Sequence, residues 1–170
     1  IDVKNELSDE IKVENIALNN EEQKIEEKIE TNVVEEVVES KVVDVKSQIE
    51  ELQSKINNLL QQRKITFERR STELTTDSKS VVEEIAKILN EYSTFNLEVA
   101  GHTDSRGNDD LNKKISQDRA NSVKKLLVSF GVNENRIKAV GYGEEFPIAK
   151  DDENGLSEIN RRVEFNILGE

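Results

Sequence analysis

The sequence predicts that residues 64–170 form an α/β two-layer sandwich, with a mixed four-stranded sheet and two main helices over one face. Two observations lead to this fold class. All seven glycines, the single proline, both tyrosines and all five phenylalanines lie at Phe67 or beyond, so the material for a packed core is confined to this part. There the hydrophobic residues recur either every second position, as in a strand, or about every 3.6 positions, as in a helix. These patterns follow one another in the order strand, helix, strand, helix, strand, loop, strand. A helical or partly disordered acidic arm is expected before it.

The arm, residues 1–63, carries 16 acidic and 8 basic side chains and so contributes most of the net charge of −12. Residues 1–37 are polar and weakly periodic, which predicts a disordered acidic linker. Hydrophobic residues at heptad spacing then predict a helix over residues 38–63. This hydrophobic seam consists of Val38, Val42, Val45, Ile49, Leu52, Ile56 and Leu59.

The composition of this seam leaves two interpretations open. β-Branched residues occupy one core position of the heptad and mostly leucine the other, which favours a parallel two-stranded coil and hence a homodimer through residues 38–63. Three heptads are marginal for a stable coil, however. The alternative is a single helix that frays or packs on its own domain.

The first two elements of the sandwich follow the arm directly. A short strand is predicted at residues 64–68, where isoleucine and phenylalanine alternate with polar neighbours. A helix follows, because Thr75 and Thr76 are good N-caps and hydrophobic residues then recur every three or four positions to about Glu91.

The remaining elements show the same two periods. Alternation predicts strands at residues 96–102, 136–143 and 161–168, and a hydrophobic stripe predicts a helix over residues 116–130 that ends at a glycine. The segment 144–160 shows neither period and is expected to be an open loop.

The composition argues against several classes of function. The acidic charge, with no basic run longer than a doublet, opposes binding to nucleic acid or anionic lipid. One histidine and no cysteine are too few for a zinc site or a nucleophile triad, so no metal, cofactor or catalytic residue is predicted. A chain that opens on Ile1 and lacks methionine is expected to be processed or truncated, and to meet a membrane only through an anchor absent from it.

The histidine lies in AGHTDSRGN, residues 100–108, where the second predicted strand runs into a loop. Taken alone, His102 is expected to pack or hydrogen-bond at the strand end. Taken alone, Asp104 would be a turn aspartate that accepts backbone N–H groups, and Arg119 a solvated helix residue.

Together, however, several motifs of residues 64–168 resemble the OmpA-like family of C-terminal peptidoglycan-binding domains. The peptidoglycan-associated lipoprotein and MotB also contain a domain of this family. The resemblance covers nearly the whole predicted sandwich, with the motifs in order. They are GHTDSRG (101–107), NKKISQDRANSV (112–123), GV (131–132), RIKAVGYGE (136–144), PIA (147–149) and NRRVEF (160–165).

The resemblance implies roles for particular residues. In this family an aspartate and a helix arginine together hold the diaminopimelate of the peptidoglycan stem peptide, and by position these are Asp104 and Arg119. The free end of diaminopimelate carries an ammonium beside a carboxylate, which suits one anion and one forked cation. Asn112 is expected to make polar contacts with the ligand and Arg161 to lie on its carboxylate side. The rim is expected to include Thr103, Ser105, Leu111 and Ile115.

The sequence departs from the family pattern in two places. GLSEI stands before Asn160, with Leu156 where arginine is common and one extra residue. Leu111 replaces a common aromatic residue and alters one wall of the expected pocket.

The function that the resemblance implies is non-catalytic binding of peptidoglycan on the periplasmic side of the cell envelope. Such a domain would anchor an envelope protein or the outer membrane to the wall, with the arm as a spacer. The alternative is an envelope assembly module, or a stator-like structural module, that dimerises through the arm.

Overall fold

The computed structural model describes residues 41–69 and 71–169. The predictions for residues 1–40, including the acidic linker, lie outside the described residues. The described elements, in order, are helix α1 (41–62), α2 (Thr76–Glu91), strand β1 (Asn96–His102), α3 (Asp109–Ser129), a 3-10 turn (Glu134–Arg136), β2 (Ile137–Gly143) and β3 (Val163–Leu168).

Within the described residues the sheet has three strands, in the order β2-β1-β3. β1 is parallel to β2 and antiparallel to β3, which confirms the prediction of a mixed sheet. The predicted fourth strand at residues 64–68 is wrong. Phe67 forms only an isolated antiparallel bridge with Leu74, because this segment binds the start of α2 instead: the Thr66 N–H donates to Ser78 Oγ at 2.8 Å.

Helix α3 begins seven residues before the predicted start at residue 116. Asn108 is its N-cap, and the Asn108 Oδ1 accepts from the backbone N–H groups of Asp110 and Leu111 at 3.0 and 3.2 Å. Two aspartates in the first turn complement the positive end of the helix. The earlier start places Leu111 and Asn112 on the helix.

Two glycines let α3 lie directly on the sheet. A Cβ at Gly101 of β1 would stand 2.2 Å from the Ser116 carbonyl oxygen, and one at Gly141 of β2 would stand 2.2 Å from the Gln117 nitrogen. Only glycine allows backbone of helix and strand to approach this closely. The contact fixes α3 across the strand ends, where the residues of the motif lie, and α2 packs beside α3.

A glutamine side chain caps the outer edge of each edge strand. Gln53 of α1 donates to the Phe165 carbonyl at 2.8 Å and accepts from the Ile167 N–H at 2.9 Å. Gln117 of α3 donates to the Ala139 carbonyl at 3.0 Å and accepts from the Gly141 N–H at 2.8 Å. Each amide thereby takes the place of a neighbouring strand over one step of the ladder.

The second half of α1 packs on the same compact unit, residues 47–170, as the sheet. Leu52 and Ile56 are fully buried, and Lys55 Nζ donates to the Tyr92 hydroxyl at 2.7 Å. Two seam positions are thus used within the chain, as the single-helix alternative predicts. A dimer through residues 38–63 stays a prediction. No helix among the described residues combines the length and the apolar character that crossing a bilayer requires.

Candidate functional site

The strand end that carries the GHTD motif meets the segment before β3. Asp104 follows β1 directly and is buried, with 6% of its surface exposed. Its Oδ2 accepts a hydrogen bond from the Ser157 N–H at 3.1 Å and also contacts Arg161 NH1 in an ion pair. The protein itself therefore supplies this carboxylate with an N–H donor and a cation.

Arg119 of α3 presents the opposite situation. Its guanidinium stacks over the ring of Phe67, 4.9 Å from the ring centroid, and its Nε is buried without a hydrogen-bond partner among the described residues. Burial lowers the pKa of Arg119, the nearby Arg161 lowers it further, and Asp104 opposes both effects. A half-buried cation without a matching acceptor is costly, which is typical of a site that binds an anion.

Asn112 lies at the start of α3 and is 5% exposed. Its Nδ2 is within hydrogen-bond distance of three protein acceptors: the carbonyls of Asp104 and Arg106, at 3.2 and 3.3 Å, and Glu144 Oε2 at 2.7 Å. Through these contacts Asn112 holds the loop after β1, and its predicted polar contact with the ligand stays a prediction.

The four predicted rim residues differ in their surroundings. Thr103 is 6% exposed, and its Oγ1 has no hydrogen-bond partner among the described residues. Ser105 is exposed, and its N–H donates to Asp151 Oδ2 at 2.9 Å. Leu111 is 54% exposed on the first turn of α3, and Ile115 follows one turn later, half-buried.

Asn160 organises the segment that was predicted to be an open loop. It is fully buried, and its Oδ1 accepts from the N–H groups of Ile148 and Ala149 at 2.9 and 3.0 Å. Its Nδ2 donates to the Ala149 carbonyl at 2.8 Å and to Asp151 Oδ1 at 2.7 Å. Asp151 in turn holds Ser105, so Asn160 connects this loop to the loop after β1.

Sequence reasoning did not assign roles to Asp151, Ser157 or Asn160. Hydrogen bonds, first with Ser105 and then with Asn160, lower the pKa of Asp151, and the charge of Arg161 lowers it further. No periodic pattern marks such residues, because each acts through hydrogen bonds with residues nine or more positions away in sequence. The available signal was the position of Asn160 at the head of NRRVEF.

His102 lies away from the carboxylate that follows it in sequence. Its ring is 4% exposed and stacks on Tyr142 at a centroid distance of 5.4 Å, as expected for a histidine that packs at the strand end. Its Nε2 lies 3.8 Å from Glu164 Oε2, and neither ring nitrogen has a hydrogen-bond partner among the described residues. Burial, and then the charge of Arg162, lower the pKa of His102.

A groove beside the Asp104 pair opens between α1 and β3. Its volume is about 800 Å³, and its walls include Ile148, Ile159 and Arg161. Arg161 therefore belongs both to the Asp104 ion pair and to this groove. In the part of the chain that the structure describes, no three histidine, aspartate or glutamate side chains are grouped to hold a metal ion.

Comparison with known proteins places this geometry in a family. The sequence model of the OmpA family matches residues 66–161. The outer membrane porin F of Pseudomonas fluorescens is 42% identical over 103 residues, a stretch that covers 61% of this chain and 32% of the porin. The chain thus spans about a third of the length of that relative.

Solved structures show the same fold. The C-terminal domain of MotB from Helicobacter pylori is 30% identical, with a TM-score of 0.56 over 63% of this chain and 84% of that domain. The peptidoglycan-associated lipoprotein from Burkholderia pseudomallei is 27% identical, with a TM-score of 0.57 over 65% of this chain and 93% of the lipoprotein.

Proposed function

The chain belongs to the OmpA family, and from that premise we propose that its globular part binds peptidoglycan non-covalently, through the diaminopimelate of the stem peptide. The observation that carries the proposal is the half-buried guanidinium of Arg119, whose Nε has no hydrogen-bond partner among the described residues and which lies within electrostatic range of the buried carboxylate of Asp104. The name of the related lipoprotein, which associates it with peptidoglycan, supports the same ligand.

The chemistry of diaminopimelate matches these two groups. Its free end offers a carboxylate, which Arg119 can bind through two parallel N–H donors, and an ammonium, which Asp104 can accept. A ligand carboxylate would give the Arg119 side chain an acceptor, which its Nε lacks among the described residues. The groove walled by Ile148 and Ile159 offers space for the rest of the stem peptide.

The affinity of one site should be modest. Each charge-assisted hydrogen bond contributes about 1.5–3 kcal/mol before the costs of desolvation and of ordering the ligand are subtracted. A polymeric wall compensates, because it presents many copies of the ligand and so raises retention through effective concentration.

The biological role that fits such a site is a non-catalytic anchor on the periplasmic side of the envelope. The domain would hold an envelope protein or the outer membrane to the wall, and the acidic arm would be the spacer. Fully extended, 63 residues reach roughly 200 Å, whereas a helix of the same length is less than half as long.

Co-sedimentation with purified peptidoglycan tests the proposal. We expect the parent domain to sediment with the wall, and the Asp104→Ala and Arg119→Ala variants to stay in the supernatant. Lys125→Ala, which removes an exposed cation from the same helix, is the matched control and should sediment like the parent. Sedimentation of both site variants with the wall at the parental level would refute the proposal. Muropeptides incubated with the domain should stay unchanged, and any product would argue for an enzyme.

The exposed part of the arm seam supports a second proposal, a homodimer that increases retention by the wall. Val42 of the seam is 60% exposed, and the neighbouring Val43, which lies outside the seam, is 63% exposed, although both are apolar. Light scattering on the chain from residue 36 onward should show a dimer at high concentration. A strict monomer would contradict the coiled coil and leave the wall site unaffected.

A further inference from the structure

We propose that Arg161 is the resident counter-ion of Asp104, and that binding proceeds by exchange of this arginine for the ammonium group of the ligand. The exchange makes the site selective for a side chain that carries an ammonium and a carboxylate over one that carries an ammonium alone. This inference rests on the proposed function and assigns Arg161 a role in specificity beyond that of a second carboxylate ligand.

The two halves of the site differ in how far the protein itself satisfies them. The carboxylate of Asp104 is buried and already paired with Arg161 and the Ser157 N–H. The guanidinium of Arg119 is half-buried, and its Nε has no hydrogen-bond partner among the described residues. Part of the Arg119 side chain is exposed, so a carboxylate can approach it there, whereas an ammonium must first displace Arg161.

Arg161 is placed so that its side chain can leave Asp104 while its backbone stays fixed. The backbone N–H donates to the Ser157 carbonyl at 3.2 Å, next to the buried Asn160. The side chain is 38% exposed, whereas that of Asp104 is 7% exposed. Water therefore reaches the arginine but hardly reaches its partner, and when the guanidinium turns outward, hydration replaces part of the interaction that it loses.

The number of ion pairs before and after binding gives the selectivity. Before binding, Asp104 pairs with Arg161. A ligand with only an ammonium replaces that pair with another and releases Arg161, so the number of pairs at Asp104 does not increase. A ligand with an adjacent carboxylate also pairs with Arg119, and the released Arg161 lies on the same side to share that carboxylate.

Two stem tripeptides separate exchange from simple contact, one ending in meso-diaminopimelate and one ending in L-lysine. Titration calorimetry on the parent domain should show at least about 30-fold tighter binding of the diaminopimelate peptide, from the bidentate pairing of one carboxylate. In Arg161→Gln the internal competitor is gone, so binding of the lysine peptide should strengthen by about tenfold. The ratio between the affinities for the diaminopimelate peptide and the lysine peptide should therefore be smaller in this variant than in the parent domain.

The opposite results are equally distinct. If Arg161 were only a second carboxylate ligand, Arg161→Gln would weaken the diaminopimelate peptide and leave the lysine peptide unchanged, which would overturn the exchange but not the proposed function. A parent domain that binds neither peptide would overturn both. Should Arg161→Gln fail to fold, Arg161→Lys serves instead: its single ammonium lacks the fork of the guanidinium, so the lysine peptide should still gain about two- to threefold. No gain in that variant would overturn the exchange.

Discussion

Replacement of Arg119 with methionine is expected to stabilise the domain, although it removes a residue of the proposed site. The buried Nε of Arg119 lacks a hydrogen-bond partner among the described residues, and such a donor costs about 1–3 kcal/mol. Loss of the cation–π contact with Phe67 offsets about 0.5–1 kcal/mol of that gain. Methionine keeps an unbranched side chain over the ring and a high helix propensity. The net expectation is a gain of about 1 kcal/mol in the free energy of unfolding, or a rise of about 4 °C in Tm.

Equilibrium urea unfolding of the domain, with thermal unfolding as a second measure, is the assay. Lys125→Met is the control, because it makes the same change at an exposed position of the same helix and should stay within about 0.5 kcal/mol of the parent. A loss of 1 kcal/mol or more in Arg119→Met would refute the reasoning. It would mean that the guanidinium supports the fold, and that its lack of an acceptor does not mark a binding site.

Three further predictions concern the groups around the site. Asn160→Ala should lower the free energy of unfolding by about 3 kcal/mol, because a fully buried side chain with four hydrogen bonds is lost. A change below 1 kcal/mol in urea unfolding would contradict the role of Asn160 in organising the loop. The folded state lowers the pKa of His102, so the unfolded chain binds more protons, and the free energy of unfolding should fall as the pH drops below about 6.5. His102→Gln should flatten this part of the curve of unfolding free energy against pH. An unchanged slope of that curve in the variant would contradict the prediction. Gln53→Ala should lower the free energy of unfolding by about 1–2 kcal/mol and raise the light scattering of concentrated samples, because it uncovers the edge of β3. The control, Gln62→Ala on the same helix, should do neither. Equal behaviour of the two variants would contradict the capping role of Gln53.

Periodic patterns predicted the elements that bury a hydrophobic face. α2 begins at Thr76 with Thr75 as its N-cap, and the strands predicted at residues 96–102 and 136–143 are β1 and β2 to within one residue. The alternating pattern at residues 64–68 led to the wrong prediction of a strand. The backbone groups of a short amphipathic segment can find hydrogen-bond partners at the start of a helix as well as in a sheet. Likewise, the first turns of α3 are polar and show no hydrophobic stripe. The N-cap at Asn108, rather than such a stripe, marks where the helix begins.

The candidate site was predictable in its members but not in its pairing. The resemblance to the family pointed to Asp104 and Arg119 but did not indicate the ion pair between Asp104 and Arg161. Residues 104 and 161 are far apart in sequence, and no local pattern relates them. The role of Asn160 was hidden for the same reason, since a single buried amide determines the path of a loop whose own sequence shows no period.

The central claim, that Arg119 holds the carboxylate of diaminopimelate, is tested most directly by titrating the stem tripeptide into the parent domain and into Arg119→Met. The account predicts saturable binding to the parent and at least about 30-fold weaker binding to the variant, which corresponds to the loss of about 2 kcal/mol from one charge-assisted contact. Equal affinity of the two folded proteins for the peptide would contradict it.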